Sequence, residues 1–146
     1  MKKNIELIKN ELDIMNRAKD ILEYSYKTCS IISIKDTYLN DELDKFEALT
    51  SRFARLSDIL TQKIFRLIEY LEMESPGTVR DRINRAEKWG LIDKADDFFL
   101  IRELRNSIAH EFLPEAINQI YREVLKYTPV LFKVCDNVTL YIKRFF

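Results

Sequence analysis

The chain of 146 residues suits one domain, spanning residues 1–146, with a buried core. Its 24 basic and 24 acidic side chains cancel, so net charge gives no general attraction to nucleic acid, although a local basic site is compatible with that balance. Only 2 glycines and 3 prolines occur. Sandwiches and barrels need many such turn-forming residues, so the composition disfavours them and predicts helices.

The N-terminal segment MKKNIELIKNELDIM has no continuous apolar stretch, so we expect no signal peptide there. No apolar run reaches the roughly 18 residues of a membrane-spanning helix. Cys29 and Cys135 lack the spacing of metal ligands. Two cysteines are enough in number for one disulfide, and two free thiols are the simpler interpretation. We therefore expect a cytoplasmic protein that does not contact a membrane.

Apolar periodicity predicts a series of helices in chain order. In the first helix, apolar residues from Ile5 to Leu22 recur at steps of three and four and define one face. Residues 29–40 are rich in Ser, Thr and β-branched side chains, which predicts a connection. The expected helices are residues 3–28, 41–73, 79–89, 94–110 and 115–144.

The second helix has a second apolar stripe, formed by Ile59, Phe65 and Ile68, beside its main apolar face. A helix that is apolar on more than one side is either central in a bundle or shared with a partner chain, and we take this as an argument for a dimer. The fold class that follows is all-α: an up-and-down bundle of three long helices, with two shorter ones between the second and the last, that dimerises.

Capping and breaking residues bound these helices. Thr78 follows the break Ser75–Gly77 and is expected to cap the third helix, which Gly90 then ends. Pro114 fits the first turn of the last helix, and Pro129 inside that helix should kink or split it. The expected caps of the second and fourth helices are Asn40 or Asp41, and Asp93.

The single histidine, His110, falls at the expected C-terminal end of the fourth helix. Unsatisfied carbonyls there favour a cation, and a histidine side chain can donate or accept a proton during a reaction. Arg105, five residues earlier, lies beside the apolar face of the helix and needs a carboxylate, carbonyl or phosphate partner. The plainer alternatives are a capping histidine and an ion pair of Arg105 with an acid of the second helix, such as Asp58.

Other polar residues extend this candidate site. Asn106 lies one turn before His110 on the same face, where it can orient the imidazole or contact a ligand, and Ser107 adds a small polar side chain. A basic cluster in the third helix can hold RNA phosphates, with Trp89 as a stacking surface. The cluster comprises Arg80, Arg82, Arg85 and Lys88. Ordinary surface side chains and a core tryptophan are the alternative interpretation.

The segment LIRELRNSIAHEF resembles the signature of the HEPN superfamily, in which an arginine precedes a histidine by four to six intervening residues. An Asn directly after Arg105, an apolar-Ala pair before His110 and the order of long and short helices also match. The resemblance covers most of the chain in architecture but only residues 100–112 in sequence. Within the superfamily, the chain looks most like the toxin half of the HEPN and minimal-nucleotidyltransferase toxin–antitoxin pairs.

This resemblance implies a metal-independent ribonuclease toxin that needs no cofactor, acts on RNA and works as a homodimer or higher even oligomer. Arg105 and His110 would be its catalytic pair, with Asn106 auxiliary, and a nucleotidyltransferase antitoxin its partner. The family's motif ends in a tyrosine that the partner can modify with AMP, and Phe112 stands at that position. Control would then act by binding alone, use another residue such as Tyr121, or be lost.

The chemistry of metal-free RNA cleavage fits a dimer. The reaction needs one base and one acid, and positive charge on the phosphorane. One histidine per chain supplies only half of this, whereas a symmetric dimer supplies two histidines and two arginines. The alternative is a non-catalytic HEPN module that binds substrate or nucleotide for a separate minimal nucleotidyltransferase.

Overall fold

A computed structural model of the chain describes residues 2–146, with side chains from Asn4 onward. The described residues form an all-α helical bundle without strands. Its helices are α1 (Lys2–Ser30), α2 (Asn40–Ile59), α3 (Phe65–Leu71), α4 (Val79–Lys88), α5 (Ala95–His110) and α6 (Pro114–Ile142). The predicted set of three long and two shorter helices is confirmed, because α2 and α3 form one continuous helix.

A π-helical turn, Leu60–Ile64, joins α2 to α3. There the Phe65 N–H donates to the carbonyl of Leu60, five residues earlier. In an α-helix each N–H donates to the carbonyl four residues earlier. Thr61 sits in this turn, and its hydroxyl donates to the carbonyl of Ser57 at 2.9 Å. The sequence pattern did not predict this turn, which begins two residues after Asp58.

The continuous α2–α3 helix is central in the bundle, with α1, α5 and α6 packed against α2 and α4 against α3. Its second apolar stripe, Ile59, Phe65 and Ile68, is buried within the one chain. Phe65, for example, packs against Phe98 of α5 with ring centroids 5.4 Å apart. The stripe therefore gives no argument for a dimer, because its burial needs no second chain.

Three of the expected helix boundaries are confirmed. Thr78 caps α4 reciprocally: its hydroxyl accepts from the Asp81 N–H at 3.1 Å, and its own N–H donates to the Asp81 carboxylate at 3.0 Å. Gly90 ends the helix with φ at +75°, the left-handed geometry in which glycine is favoured. Pro114 occupies the first turn of α6, as expected.

Other boundary predictions were wrong. The cap of α2 is Leu39, whose N–H donates to Glu42 at 2.9 Å, so Asn40 and Asp41 lie inside the helix. The cap residue of α5 is Lys94 rather than Asp93. There the first helical N–H, that of Ala95, is satisfied by the carboxylate of Glu87 at 2.6 Å, which comes from a neighbouring helix.

Pro129 does not split the last helix, which continues from Pro114 to Ile142. Cys29 and Cys135 are both buried and free, in agreement with the simpler interpretation of the two thiols. Within residues 2–146, no helix is long and apolar enough to cross a membrane.

Candidate functional site on α5

Helix α5 runs antiparallel to the central helix, because Phe98 meets Phe65 while Arg105 meets Asp58. Ile101 is buried along the face of α5 that packs inward. Arg105 lies at the edge of that face, as its position in the sequence indicated, with its side chain 30% exposed. The helix thus carries a charged side chain at the boundary between core and solvent.

Arg105 forms a two-point ion pair with Asp58. Its Nε lies 2.8 Å from one carboxylate oxygen and its Nη2 lies 2.8 Å from the other. Arg102 donates to the same carboxylate at 2.8 Å, and its Nη1 lies 3.3 Å from the hydroxyl of Ser57. One carboxylate therefore holds two guanidiniums, in what we call the Asp58 cluster: Asp58, Arg102 and Arg105. The ion pair with Asp58 is the plainer alternative that the sequence left open.

The charges of the Asp58 cluster set its protonation. Burial alone would raise the pKa of the Asp58 carboxyl, but the hydrogen bonds and positive charges of Arg105 and Arg102 outweigh burial and hold that pKa below its ordinary value. In return, the hydrogen bonds to Asp58 raise the pKa of the Arg105 guanidinium. Asp58 and Arg105 are therefore charged at neutral pH, and two guanidiniums against one carboxylate give the cluster one net positive charge.

His110 is exposed and is the last residue of α5. Asn106 and Ser107 are exposed on the same helix. No side-chain hydrogen bond among residues 4–146 joins any of these three to the Asp58 cluster. Five residues of helix separate Arg105 from His110 by about 7.5 Å along the axis and about 140° around it. Within one chain the structure therefore places the two residues on one helix but on different sides of it.

The segment after α5 is exposed and apolar. Phe112 is 84% exposed and Leu113 is 64% exposed, in the connection to α6. Phe112 is thus at the surface where the family's tyrosine would stand. Tyr121, the other residue considered for modification, is 3% exposed and stacks on Phe46 with ring centroids 4.5 Å apart. Its hydroxyl is not presented to a modifying enzyme.

The basic residues of α4 are largely engaged within the protein. Arg82 donates to Glu69 at 2.8 Å, and Arg85 pairs with the other oxygen of the same buried carboxylate. Arg80 is exposed and lies 5.2 Å from the ring centre of Phe99. Trp89 packs against the core beside Tyr141. These contacts fit the alternative interpretation, in which the arginines and the tryptophan serve the fold.

Arg102 is the member of the Asp58 cluster that sequence reasoning missed. It lies three residues before Arg105 and therefore on the same side of the helix, a spacing that was available as a signal. No cluster of three or more His, Cys, Asp or Glu side chains that could hold a metal lies in the described part of the chain.

Neither the comparison with protein-family models nor the comparison with curated proteins finds a match for this chain. The resemblance to the HEPN superfamily therefore depends on the segment RNSIAHEF and on the order of the helices.

Proposed function

We propose that the protein is a metal-independent ribonuclease of the HEPN type, the toxin of a toxin–antitoxin pair, which cleaves RNA at a site shared by two copies of the chain. One observation carries the proposal: the exposed His110 lies on the same helix as two partly exposed guanidiniums that converge on one point. A proton-transfer group and a concentrated positive charge are the two components that metal-free RNA cleavage needs.

Arg105 remains able to contact a phosphate although Asp58 binds it. A guanidinium carries five N–H donors in a fixed fork. Two of them donate to Asp58, and the others have no hydrogen-bond partner among residues 4–146. Asp58 and Arg102 therefore act as positioning residues in this proposal, since they hold the guanidinium in one orientation while leaving one of its edges to solvent.

The proposed reaction balances with two histidines. The His110 imidazole of one protomer takes the proton of the RNA 2′-hydroxyl, whose oxygen forms a bond to phosphorus. The bond from phosphorus to the 5′-oxygen breaks, and the protonated His110 of the other protomer gives that oxygen its proton. The two Arg105 guanidiniums stabilise the negative charge on the phosphorane. The products are a 2′,3′-cyclic phosphate and a 5′-hydroxyl.

Cleavage of a radiolabelled RNA in EDTA tests this proposal. We expect wild type to produce 2′,3′-cyclic phosphate ends, His110→Ala to lose activity by about a hundredfold or more, as for loss of a general acid–base, and Arg105→Lys to be impaired. Glu103→Ala is the matched control, because Glu103 is an exposed residue of the same helix and forms none of the ion pairs seen among residues 4–146. Equal cleavage by wild type and His110→Ala would overturn the proposal.

A growth assay tests the toxin role separately from the chemistry. Expression of wild type should arrest growth, and His110→Ala should relieve the arrest without lowering protein level. The proposed partner is a minimal nucleotidyltransferase. Because Phe112 has no hydroxyl that could accept AMP, we propose that this partner controls the protein by binding alone. Incubation with the nucleotidyltransferase and ATP should then add no AMP to the chain, and a mass increase of one AMP would overturn this part.

A second candidate is a non-catalytic HEPN module that binds nucleotide or substrate for a separate nucleotidyltransferase. The observation that favours it is the two-point pairing of Arg105 with Asp58, which gives this arginine a sufficient structural role. Titration calorimetry with ATP distinguishes the two: this candidate requires saturable ATP binding by a wild-type protein that does not cleave RNA.

A further inference from the structure

A second exposed feature lies between α1 and the α2–α3 helix. Three adjoining hollows share residues there: Arg55 and Ile59 line two of them, and Gln62 and Lys63 link the second to the third. The middle hollow is lined by the α2–α3 helix alone, and the two outer ones are lined by α1 as well. We call the three hollows together the α1–α2 groove. The groove is also lined by Leu7, Glu11, Ile14, Ile21, Arg52 and Arg66.

The side of the groove formed by α1 carries a line of apolar side chains, beside Glu11 and the paired Arg17. Leu7, Ile14 and Ile21 follow one another at steps of seven residues and are 41%, 39% and 43% exposed. Seven-residue spacing places them on one line along the helix, separate from the buried face that packs into the core. A line of half-exposed aliphatic side chains is the surface against which another helix packs, because each side chain can enter a gap between residues of that helix.

The side formed by the central helix is basic. Arg55, Lys63 and Arg66 are exposed, and none of them takes part in an ion pair found among residues 4–146. Arg52 adds a fourth charge, held in place by donation to the hydroxyl of Ser25 at 2.7 Å. The lining acids do not offset this charge: Asp58 is already paired with two arginines, which leaves Glu11.

We propose that the α1–α2 groove binds an acidic amphipathic helix of a partner protein. The apolar line accepts the apolar face of such a helix, and the basic row accepts the carboxylates that flank that face. The distance from Leu7 to Ile21 is about 21 Å along α1, so a bound helix needs about 14 residues or more. This proposal does not depend on the ribonuclease proposal, since it uses neither Arg105 nor His110.

Charge and polarity decide against two other occupants. A second copy of the chain would bring the same basic row against this one, and like charges repel across an interface. RNA would satisfy the cations, but its phosphates would lie beside aliphatic side chains that offer them no hydrogen bond. Both remain outcomes that the experiment separates.

The probe is a fluorescein-labelled 18-residue peptide with Leu at the first and fourth positions of each heptad and Glu at the flanking positions. A counterpart with Lys in place of Glu is the charge control, and a single-stranded 18-nucleotide RNA is the third ligand. Fluorescence anisotropy measures binding to the full chain, which carries His110→Ala in the RNA titrations so that the RNA is not cleaved. We expect the acidic peptide to bind saturably, more weakly as salt increases, and the basic peptide not to bind.

Variants locate the binding. The double substitution Arg55→Glu with Lys63→Glu should weaken binding of the acidic peptide at least about tenfold, because it places like charges opposite each other. Arg122→Glu with Lys126→Glu, which makes the same charge change at exposed positions of α6, should leave the Kd within about twofold. Ile14→Asn should also weaken binding, with exposed Leu140→Asn as its control.

Four results would overturn the proposal. The acidic peptide fails to saturate, or its Kd is the same for wild type and the groove double variant. RNA binds instead and loses affinity in the groove variant, which assigns the groove to nucleic acid. Sedimentation shows a dimer that the groove variant dissociates, which assigns it to a second copy.

Discussion

Replacement of Asp58 by asparagine keeps the size of the side chain and removes the charge that holds Arg102 and Arg105. The three side chains are 25%, 18% and 30% exposed, so the cluster lies between a surface ion pair and a buried one. Surface pairs contribute about 0–1 kcal/mol, and removing one partner of a buried pair costs about 3–5 kcal/mol. We therefore expect Asp58→Asn to lower the free energy of unfolding by about 2 kcal/mol at pH 7.

The loss should depend on pH with a definite sign. In the folded protein the pKa of Asp58 lies below its ordinary value of 3.8. Its charge therefore contributes stability above pH 3.8, and this contribution disappears as the pH falls through the lower folded-state pKa. The difference between wild type and Asp58→Asn should thus be full at pH 7 and should shrink as the pH falls below 3.8.

Urea denaturation followed by circular dichroism at 222 nm measures both quantities at pH 7 and pH 3. Asp44→Asn is the matched control, since Asp44 is an exposed residue of α2 that forms no ion pair found among residues 4–146, and it should change stability by less than about 0.5 kcal/mol. If Asp58→Asn also changes stability by less than about 0.5 kcal/mol, or if its effect is equal at both pH values, the reasoning from charge is refuted.

Three further predictions concern the fold. Glu69→Ala should lower the free energy of unfolding by about 3 kcal/mol, measured by urea denaturation, because it leaves the two arginines of α4 without their buried partner. Gly90→Ala should cost about 1 kcal/mol in the same assay through its φ of +75° alone, since an added Cβ meets no atom within 4 Å. Burial raises the pKa of Cys29 to about 11 and that of Cys135 to about 12. Iodoacetamide at pH 8 should therefore leave both thiols unmodified in the folded protein and alkylate them in guanidinium, which mass spectrometry measures.

The fold was predictable from the sequence to the extent that local pattern determines it. Apolar periodicity and the scarcity of breakers gave the helices, and residues whose cap is local, such as Thr78 and Gly90, marked their ends correctly. The cap of α5 was not predictable from its own segment, because the carboxylate that satisfies Ala95 comes from Glu87 of another helix. The π turn at Leu60–Ile64 likewise leaves no mark in apolar spacing.

Of the contacts at the candidate site, the sequence predicted only the ion pair between Arg105 and an acid of the second helix. The position of Arg105 beside an apolar face required such a partner, and Asp58 was the acid considered. Arg102 was not predicted, because the spacing within α5 does not show that two of its arginines share one acid on another helix. The exposed line of Leu7, Ile14 and Ile21 was not predicted either. The buried face of α1 is enough to explain the apolar periodicity of that helix, so the sequence pattern does not distinguish a second, exposed line.

The Asp58 cluster also distinguishes a structural Arg105 from one that binds phosphate. If an RNA phosphate contacts Arg105, the Asp58 carboxylate repels that phosphate. Removing this negative charge, at about 6 Å from the phosphate in a near-aqueous dielectric, should strengthen RNA binding by about 0.7 kcal/mol. The amide oxygen left by Asp58→Asn can still accept a hydrogen bond from Arg105, so the guanidinium keeps its orientation. The variant should then bind a labelled RNA about threefold more tightly than its parent at low salt, with both proteins carrying His110→Ala to prevent cleavage. Because the same substitution destabilises the fold, tighter binding cannot arise from a better-formed protein. Unchanged RNA affinity beside reduced stability would assign Arg105 to the fold alone.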